Sequence, residues 1–259
     1  MSDKMSLTVH KIKSGILSKS MNTAVYCPDG CENVKLPVLY FLHGRSGDET
    51  LLEKSEMGTT ADRLRKEGKI RPLIIVCPNL DNSRGINSSE TYMEISGRYG
   101  IVHKGRYEDY LIREVIPYID GAFNTVKSRS GRYIGGISSG GYTALSIGLR
   151  HKNLFSRIGG HMPAIDPFYA HEDEAYFSDE TMWLKYDPVS IAKSGDFKNI
   201  SVFLDDGTED EGRFFLACDR LYSVLKSKGA EVQNHLFAGR HNEGYFKANL
   251  IKYLLFYGV

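Results

Sequence analysis

The sequence predicts an α/β fold, a mostly parallel central sheet flanked by helices. Three observations carry that expectation. The near-continuous apolar runs "PVLYFLHG" (37–44) and "PLIIVCPN" (72–79) suit strands buried on both faces of a parallel sheet. Helix-patterned segments alternate with such runs, as right-handed strand–helix–strand crossovers require. The stretch "RYIGGISSGGYTALSIG" (132–148) joins an apolar strand to a helix through two adjacent serines set among glycines.

Taken in order, "SLTVHKIKS" (6–14) and "MNTAVYCP" (21–28) alternate as half-buried strands do. "PDGCENVKL" (28–36) has turn chemistry. Strand 37–44 leads to "ETLLEKSEMGTTADRLRKEGK" (49–69), polar with helical spacing, and then to strand 72–79. "YEDYLIREVIPYIDGAFN" (107–124) keeps a helical period despite Pro117. Strand 132–138 runs into helix 139–152, and "RIGG" places a further strand end at His161. A strand at 199–206, an amphipathic helix at 211–229 closed by Gly229, a strand at 231–237 and a helix at 242–257 complete the series. We read residues 1–259 as one domain.

Composition narrows the function. Lys and Arg number 33 against 32 Asp and Glu, a net charge of +1. With no basic run or stripe, a nucleic-acid partner is not expected. "MSDKMSLTVHKIKSG" holds no apolar stretch of signal-peptide length, and nowhere do about 18 apolar residues run together. The expectation is therefore a cytoplasmic protein with no membrane partner; self-association into a homo-oligomer stays open. The cysteines are Cys27, Cys31, Cys77 and Cys218. "CPDGC" is a lone C-x-x-x-C without a second pair at metal spacing or a nearby histidine, so reduced thiols are expected, with a Cys27–Cys31 bridge across the turn as the lesser alternative. Cys77 ends an apolar strand and reads as a small core residue.

The serine turn carries the chemistry. The pattern G-x-S-x-G fits one register: Gly136, Ile137, Ser138, Ser139, Gly140. A sharp strand-to-helix turn forces its central residue into a strained backbone conformation. Residues two positions away on each side must be small, because strand and helix nearly touch there. That makes Ser138 the candidate nucleophile. A serine hydroxyl needs a base, and on such a turn the chain order is Ser, then Asp or Glu, then His.

Of the histidines after Ser138, His151 ends the following helix, His235 lies within a strand, His161 sits at a strand end and His171 in an acidic loop. Only His241 falls between the final strand and helix, in "FAGRHNEGYF", and it is the candidate base. "VFLDDGTEDEG" offers Asp205, Asp206, Glu209 and Asp210 as the acid. Asp210, past the Gly207 turn, ranks first, with Asp206 and Asp205 behind. The competing reading is that Asp210 and Glu211 simply favour a helix N-terminus. Donors for an oxyanion are expected from the backbone N–H of Ser139 and of Arg45, with Ser46 as the alternative to Arg45. His43 is expected to brace that loop.

These segments resemble the esterase D-like α/β-hydrolases, a group that includes S-formylglutathione hydrolases, tributyrin esterases and feruloyl or acetyl-xylan esterases. The likeness runs through "PVLYFLHG", "YEDYLIREVIPYID", "GGISSGGYTALSIGLRHKNLF", "DDGTED" and "FAGRHNEGYF". It implies an α/β-hydrolase fold without a large cap and a serine hydrolase without metal or organic cofactor. The family's G-x-x-D, here Gly207 to Asp210, supports Asp210 as the acid. The chain departs from its relatives at Ser139, where they often carry Met, and at "GGHMPAI", where they often have Ser-Gly-Ala. Nor does it have the Trp that many carry beside the histidine. Residues 162–193 form the main insertion, rich in aromatics and acids and too short for a large cap. Trp183 and Ser46 are the candidate pocket residues; for the insertion and its Trp183, ordinary packing of a connecting loop is an equal reading. The expected function is hydrolysis of small soluble esters, short-acyl or carbohydrate-linked, through a covalent acyl-enzyme. An acyltransferase on the same site and a non-catalytic binding module on this fold are the alternatives.

Overall fold

The structure, a computed structural model, describes residues 6–31 and 33–258. The start of the N-terminal stretch read above (1–5) and Glu32 of the "PDGCENVKL" turn lie outside the described residues.

In chain order the elements are β1 (Ser6–Ser14), β2 (Lys19–Cys27), β3 (Val38–Leu42), α1 (Leu51–Lys54), α2 (Met57–Lys66) and β4 (Ile74–Pro78). Then come β5 (Met93–Gly97), β6 (Gly100–Lys104), α3 (Tyr107–Tyr110), α4 (Ile116–Ala122), β7 (Arg132–Ile137), α5 (Ser139–Arg150) and β8 (Arg157–His161). The series ends with α6 (Glu180–Tyr186), α7 (Pro188–Ser194), β9 (Ser201–Gly207), α8 (Phe215–Ser227), β10 (Glu231–Phe237) and α9 (Glu243–Gly258). The main sheet has the order β1-β2-β4-β3-β7-β8-β9-β10. β1 and β2 form an antiparallel edge, and every pairing from β4 to β10 is parallel.

Strand alternation sends neighbouring residues to opposite faces. Val38, Tyr40 and Leu42 of β3 face a core shared with α3 to α8, whereas Leu39 and Phe41 face one shared with α1, α2 and α9. Both faces are covered, which is why these strands read as unbroken apolar runs. α9 alone buries Phe246, Leu250, Tyr253, Leu254 and Tyr257 there. Each such side chain stabilises the fold by roughly 1.5–3 kcal/mol. Among the described residues no helix is long and apolar enough to cross a membrane, and none of the four cysteines forms a disulfide.

Pro117 has no N–H to donate, and the helix accommodates it by widening. Residues Leu111–Val115 form a π turn in which the Ile116 N–H reaches the Leu111 carbonyl. The hairpin β5–β6 has little sequence signal, because only Val102 of its ten strand residues is buried. The 162–193 insertion carries two short helices that the sequence reading treats as loop. Their start signals are present: Asp179 accepts from the Met182 N–H and Asp187 from the Ser190 N–H, both at 2.8 Å, with Pro188 opening α7.

Candidate active site

The turn between β7 and α5 brings the serine to the strand edge. Ser138 sits at φ 53°, ψ −120°, a conformation an L-residue adopts only under constraint. Its N–H donates to the His161 carbonyl at 2.9 Å, and its carbonyl accepts from the Tyr142 and Ala164 N–H groups at 3.0 Å. The flanking glycines are a steric requirement. A Cβ on Gly136 would lie 2.5 Å from the Gly140 carbonyl oxygen, and one on Gly140 would lie 2.3 Å from the carbonyl oxygens of both Leu42 and His43. No side chain fits either place.

Two further loops meet the serine. His241, between β10 and α9, places Nε2 2.8 Å from Ser138 Oγ. Its Nδ1 lies 3.1 Å from Asp210 Oδ2. Asp210 stands in the loop after β9, where its Oδ1 accepts the Gly212 N–H at 2.7 Å. The acid and histidine loops are laced together: Thr208 N–H donates to the Phe237 carbonyl and Glu209 N–H to the Gly239 carbonyl, both at 2.8 Å. Burial works to raise the Asp210 carboxyl, but the His241 imidazole and the neighbouring Asp206 outweigh it and hold the group below the usual carboxylate range. Phe214 sets its ring edge-on to His241, with centroids 5.5 Å apart.

The serine opens into a cleft of about 360 Å³ whose walls include Arg45, Ser46, Ile137, Met162 and Phe246. His43 lies under its rim, buried. Its Nδ1 donates to the Gly44 carbonyl at 2.9 Å and its Nε2 accepts the Leu80 N–H at 3.0 Å. Burial lowers its pKa, which favours this neutral, bracing form.

The structure thus brings Ser138, His241 and Asp210 together, with Arg45 and Ser46 in the cleft wall and Ser139 opening α5. It does not bring Trp183, and that expectation is corrected. Trp183 is buried in the core beside Tyr169, because the apolar side of α6 turns toward the sheet rather than the cleft. The segment is also pinned. The buried Arg84 guanidinium donates to the Ala164 carbonyl at 3.3 Å and pairs with Asp166 and Asp173 at 3.2 and 3.4 Å. Asp205 points to the opposite face of the sheet from Asp206, where His161, Tyr245 and Tyr253 bind it. Asp206 is enclosed behind Asp210. Sequence reasoning missed Phe214 and Arg84. Phe214 was hidden inside a helix expected from residue 211, and Arg84 had no signal.

An eight-stranded, mostly parallel sheet with a strained serine at a strand-to-helix turn defines an α/β-hydrolase. The family model described as "Putative esterase" matches residues 14–257. Among solved structures, a ferulic acid esterase is 21% identical, with a TM-score of 0.83 and coverage of 99% of this chain and 98% of that one. An S-formylglutathione hydrolase from Agrobacterium tumefaciens is 20% identical, with a TM-score of 0.78 over 98% and 95% of the two chains. A fluorophosphonate-binding serine hydrolase of Staphylococcus aureus is 18% identical, with a TM-score of 0.77 over 97% and 98%. At such identities the likeness concerns the fold. The chain belongs to this esterase family, and with it to the serine carboxylic ester hydrolases.

Proposed function

We propose that the chain hydrolyses small soluble esters, short-acyl or carbohydrate-linked, through a covalent acyl-enzyme on Ser138. The observation that carries this reading is the line from Ser138 Oγ to His241 Nε2 to Asp210, 2.8 and 3.1 Å long, at a cleft open to solvent. In this reading Ser138 donates its proton to His241 as Oγ attacks the ester carbonyl. Asp210 fixes the Nδ1–H tautomer and stabilises the imidazolium. His241 returns the proton to the leaving alcohol, and water repeats the sequence on the acyl-enzyme. The N–H groups of Ser139 and Arg45 hold the oxyanion. Ser139 starts α5, so its N–H has no acceptor one turn back. Arg45 follows Gly44 in the tight turn closed by the Gly47 N–H, 3.0 Å from the Gly44 carbonyl.

Cleft size supports a small acyl group. About 360 Å³ lies near the low end of ligand pockets, which run from about 300 to 1,000 Å³. Ile137, Met162 and Phe246 supply apolar wall, while Arg45, Lys54 and Glu243 make the rest polar. The test pairs fluorophosphonate labelling of Ser138 with a chain-length series of nitrophenyl esters and an acetylated sugar. Labelling that Ser138→Ala abolishes, with rates falling as the acyl chain grows, is expected. A rate maximum at long acyl chains, or a jump at the solubility limit, refutes the small-ester reading.

A further inference from the structure

Asp206 is the buried titratable group for which this site has no assigned work. It is fully enclosed near the end of β9. Its Oδ1 accepts the Gly207 N–H at 2.8 Å. Its Oδ2 is sealed from solvent and meets no donor among the described residues. An ionised carboxylate there would leave a charged acceptor unsatisfied in a low-dielectric site. A protonated carboxyl is instead a donor. The acceptor at hand is Asp210: one side-chain oxygen of Asp206, one of Asp210 and a ring nitrogen of His241 all lie within 4.8 Å of one another. The other titratable groups near enough to feel the Asp206 charge are Cys218 of α8 and, across the sheet, Asp205 of β9 and Tyr245 of α9, with no lysine or arginine among them.

Resting on the Ser138–His241–Asp210 reading, we propose that Asp206 is a positioning residue: a neutral carboxylic acid at neutral pH that donates a hydrogen bond to the Asp210 carboxylate and holds it in line with His241. The electrostatics agree with the geometry. Burial first, then the Asp210 carboxylate, push the Asp206 carboxyl up to about 8, with the Gly207 N–H opposing. Asp210 shifts the opposite way. Two adjacent carboxyls driven apart in this manner divide their roles, one holding the proton and one the charge. As pH rises through about 8 the proton leaves Asp206 for solvent. Asp210 then loses a donor and faces a like charge. The enzyme acquires an alkaline limit that its histidine does not set. A carboxyl raised on folding also contributes stability that is complete below its unfolded value of about 4 and is lost as pH rises through about 8.

The experiment compares kcat–pH profiles of the wild type, Asp206→Asn and Asp206→Ala. The wild type is expected to lose activity severalfold above about pH 8. Asn supplies an N–H donor that does not titrate. Asp206→Asn should therefore cost only about threefold at neutral pH and abolish the alkaline limb, while Asp206→Ala should cost roughly thirtyfold, also without the limb. An Asn variant that keeps the wild-type limb, or one as impaired as Ala, overturns the proposal. Should Asp206→Asn not fold, the wild type still decides. A protonated-carboxyl C=O infrared band present at neutral pH and lost through about 8 supports the proposal; its absence at neutral pH overturns it. Fluorophosphonate labelling separates the two levels. A wild type that does not label at Ser138 fails the serine reading and this proposal together, whereas a labelled wild type with an unchanged limb in Asp206→Asn fails only this one.

Discussion

Two histidine–aspartate pairs sit at the ends of neighbouring strands in this molecule, and their lengths nearly match: 2.9 Å for His161–Asp205 and 3.1 Å for His241–Asp210. Their surroundings do not match. The first pair is wholly enclosed between the sheet and α9. The Asp205 Oδ2 accepts from the hydroxyls of Tyr245 and Tyr253 at 2.8 and 2.7 Å, and the Tyr257 hydroxyl lies 3.0 Å from His161 Nε2. The second pair has a half-exposed imidazole whose Nε2 meets a serine at a cleft. A histidine braced by a carboxylate is thus not chemistry by itself. What stands on the far nitrogen, and whether a substrate can reach it, separates a fastening from a candidate catalyst. The sealed pair ties α9 to β8 and β9; in the proposed mechanism the open pair uses the same geometry for proton transfer.

The sharpest way to break this contrast is to remove each imidazole in turn. His241→Ala is expected to lower kcat by roughly 10⁴- to 10⁶-fold with little change in Tm. His161→Ala should lower Tm markedly and leave kcat of the folded fraction within about tenfold. Equal losses of kcat would erase the distinction. The acids come next. Asp210→Asn should cost about 10⁴-fold in kcat by spoiling the tautomer, whereas Asp205→Asn should cost about 2–4 kcal/mol of stability in a denaturant titration, because one of the two acceptor oxygens shared by two tyrosines and a histidine becomes an N–H donor. A smaller test sharpens the sealed side. Tyr253→Phe removes one of three donors to Asp205 and should lower stability by about 1 kcal/mol, a Tm shift of roughly 2–4 °C, without touching kcat. The smallest effect is in acid. Because Asp210 is held below its usual range, its stabilising contribution is complete above about pH 4 and drains as pH falls through the lower folded value. The Tm gap between the wild type and Asp210→Asn should therefore narrow from about pH 6 to pH 3. A constant gap would show that the open carboxylate contributes no charge-linked stability.

How much of this could be read from the residues follows from where each constraint acts. The serine turn was legible because its limits are local: Gly136 and Gly140 leave no room for a Cβ, so the pattern must appear in sequence. The parallel strands were legible because burial on both faces removes polar alternation. His241 was legible through chain order. The acid loop was half legible. A helix expected from residue 211 starts at Phe215, because Asp210 captures the Gly212 N–H and Arg213 turns left-handed at φ 52°. What stayed hidden was the facing of side chains brought together from distant segments. Trp183 looked like pocket and is core, and Asp205 looked like a candidate acid and is bound beneath the sheet. In both, the decision is made by tertiary contacts that no local window contains.

The lacing of the acid and histidine loops has a consequence for the order in which this protein comes into being. A ribosome delivers β7, the serine turn and α5 some seventy residues before Asp210 and a hundred before His241. Domains fold broadly as units during synthesis, and exposed apolar surface is the hazard of the interval. Until α9 emerges, one face of the nascent sheet lacks Phe246, Leu250, Tyr253 and Tyr257, and the serine lacks the partner on its hydroxyl. The growing chain therefore carries its proposed nucleophile without its proposed base, and the last segment to emerge both closes the core and brings that base to the serine.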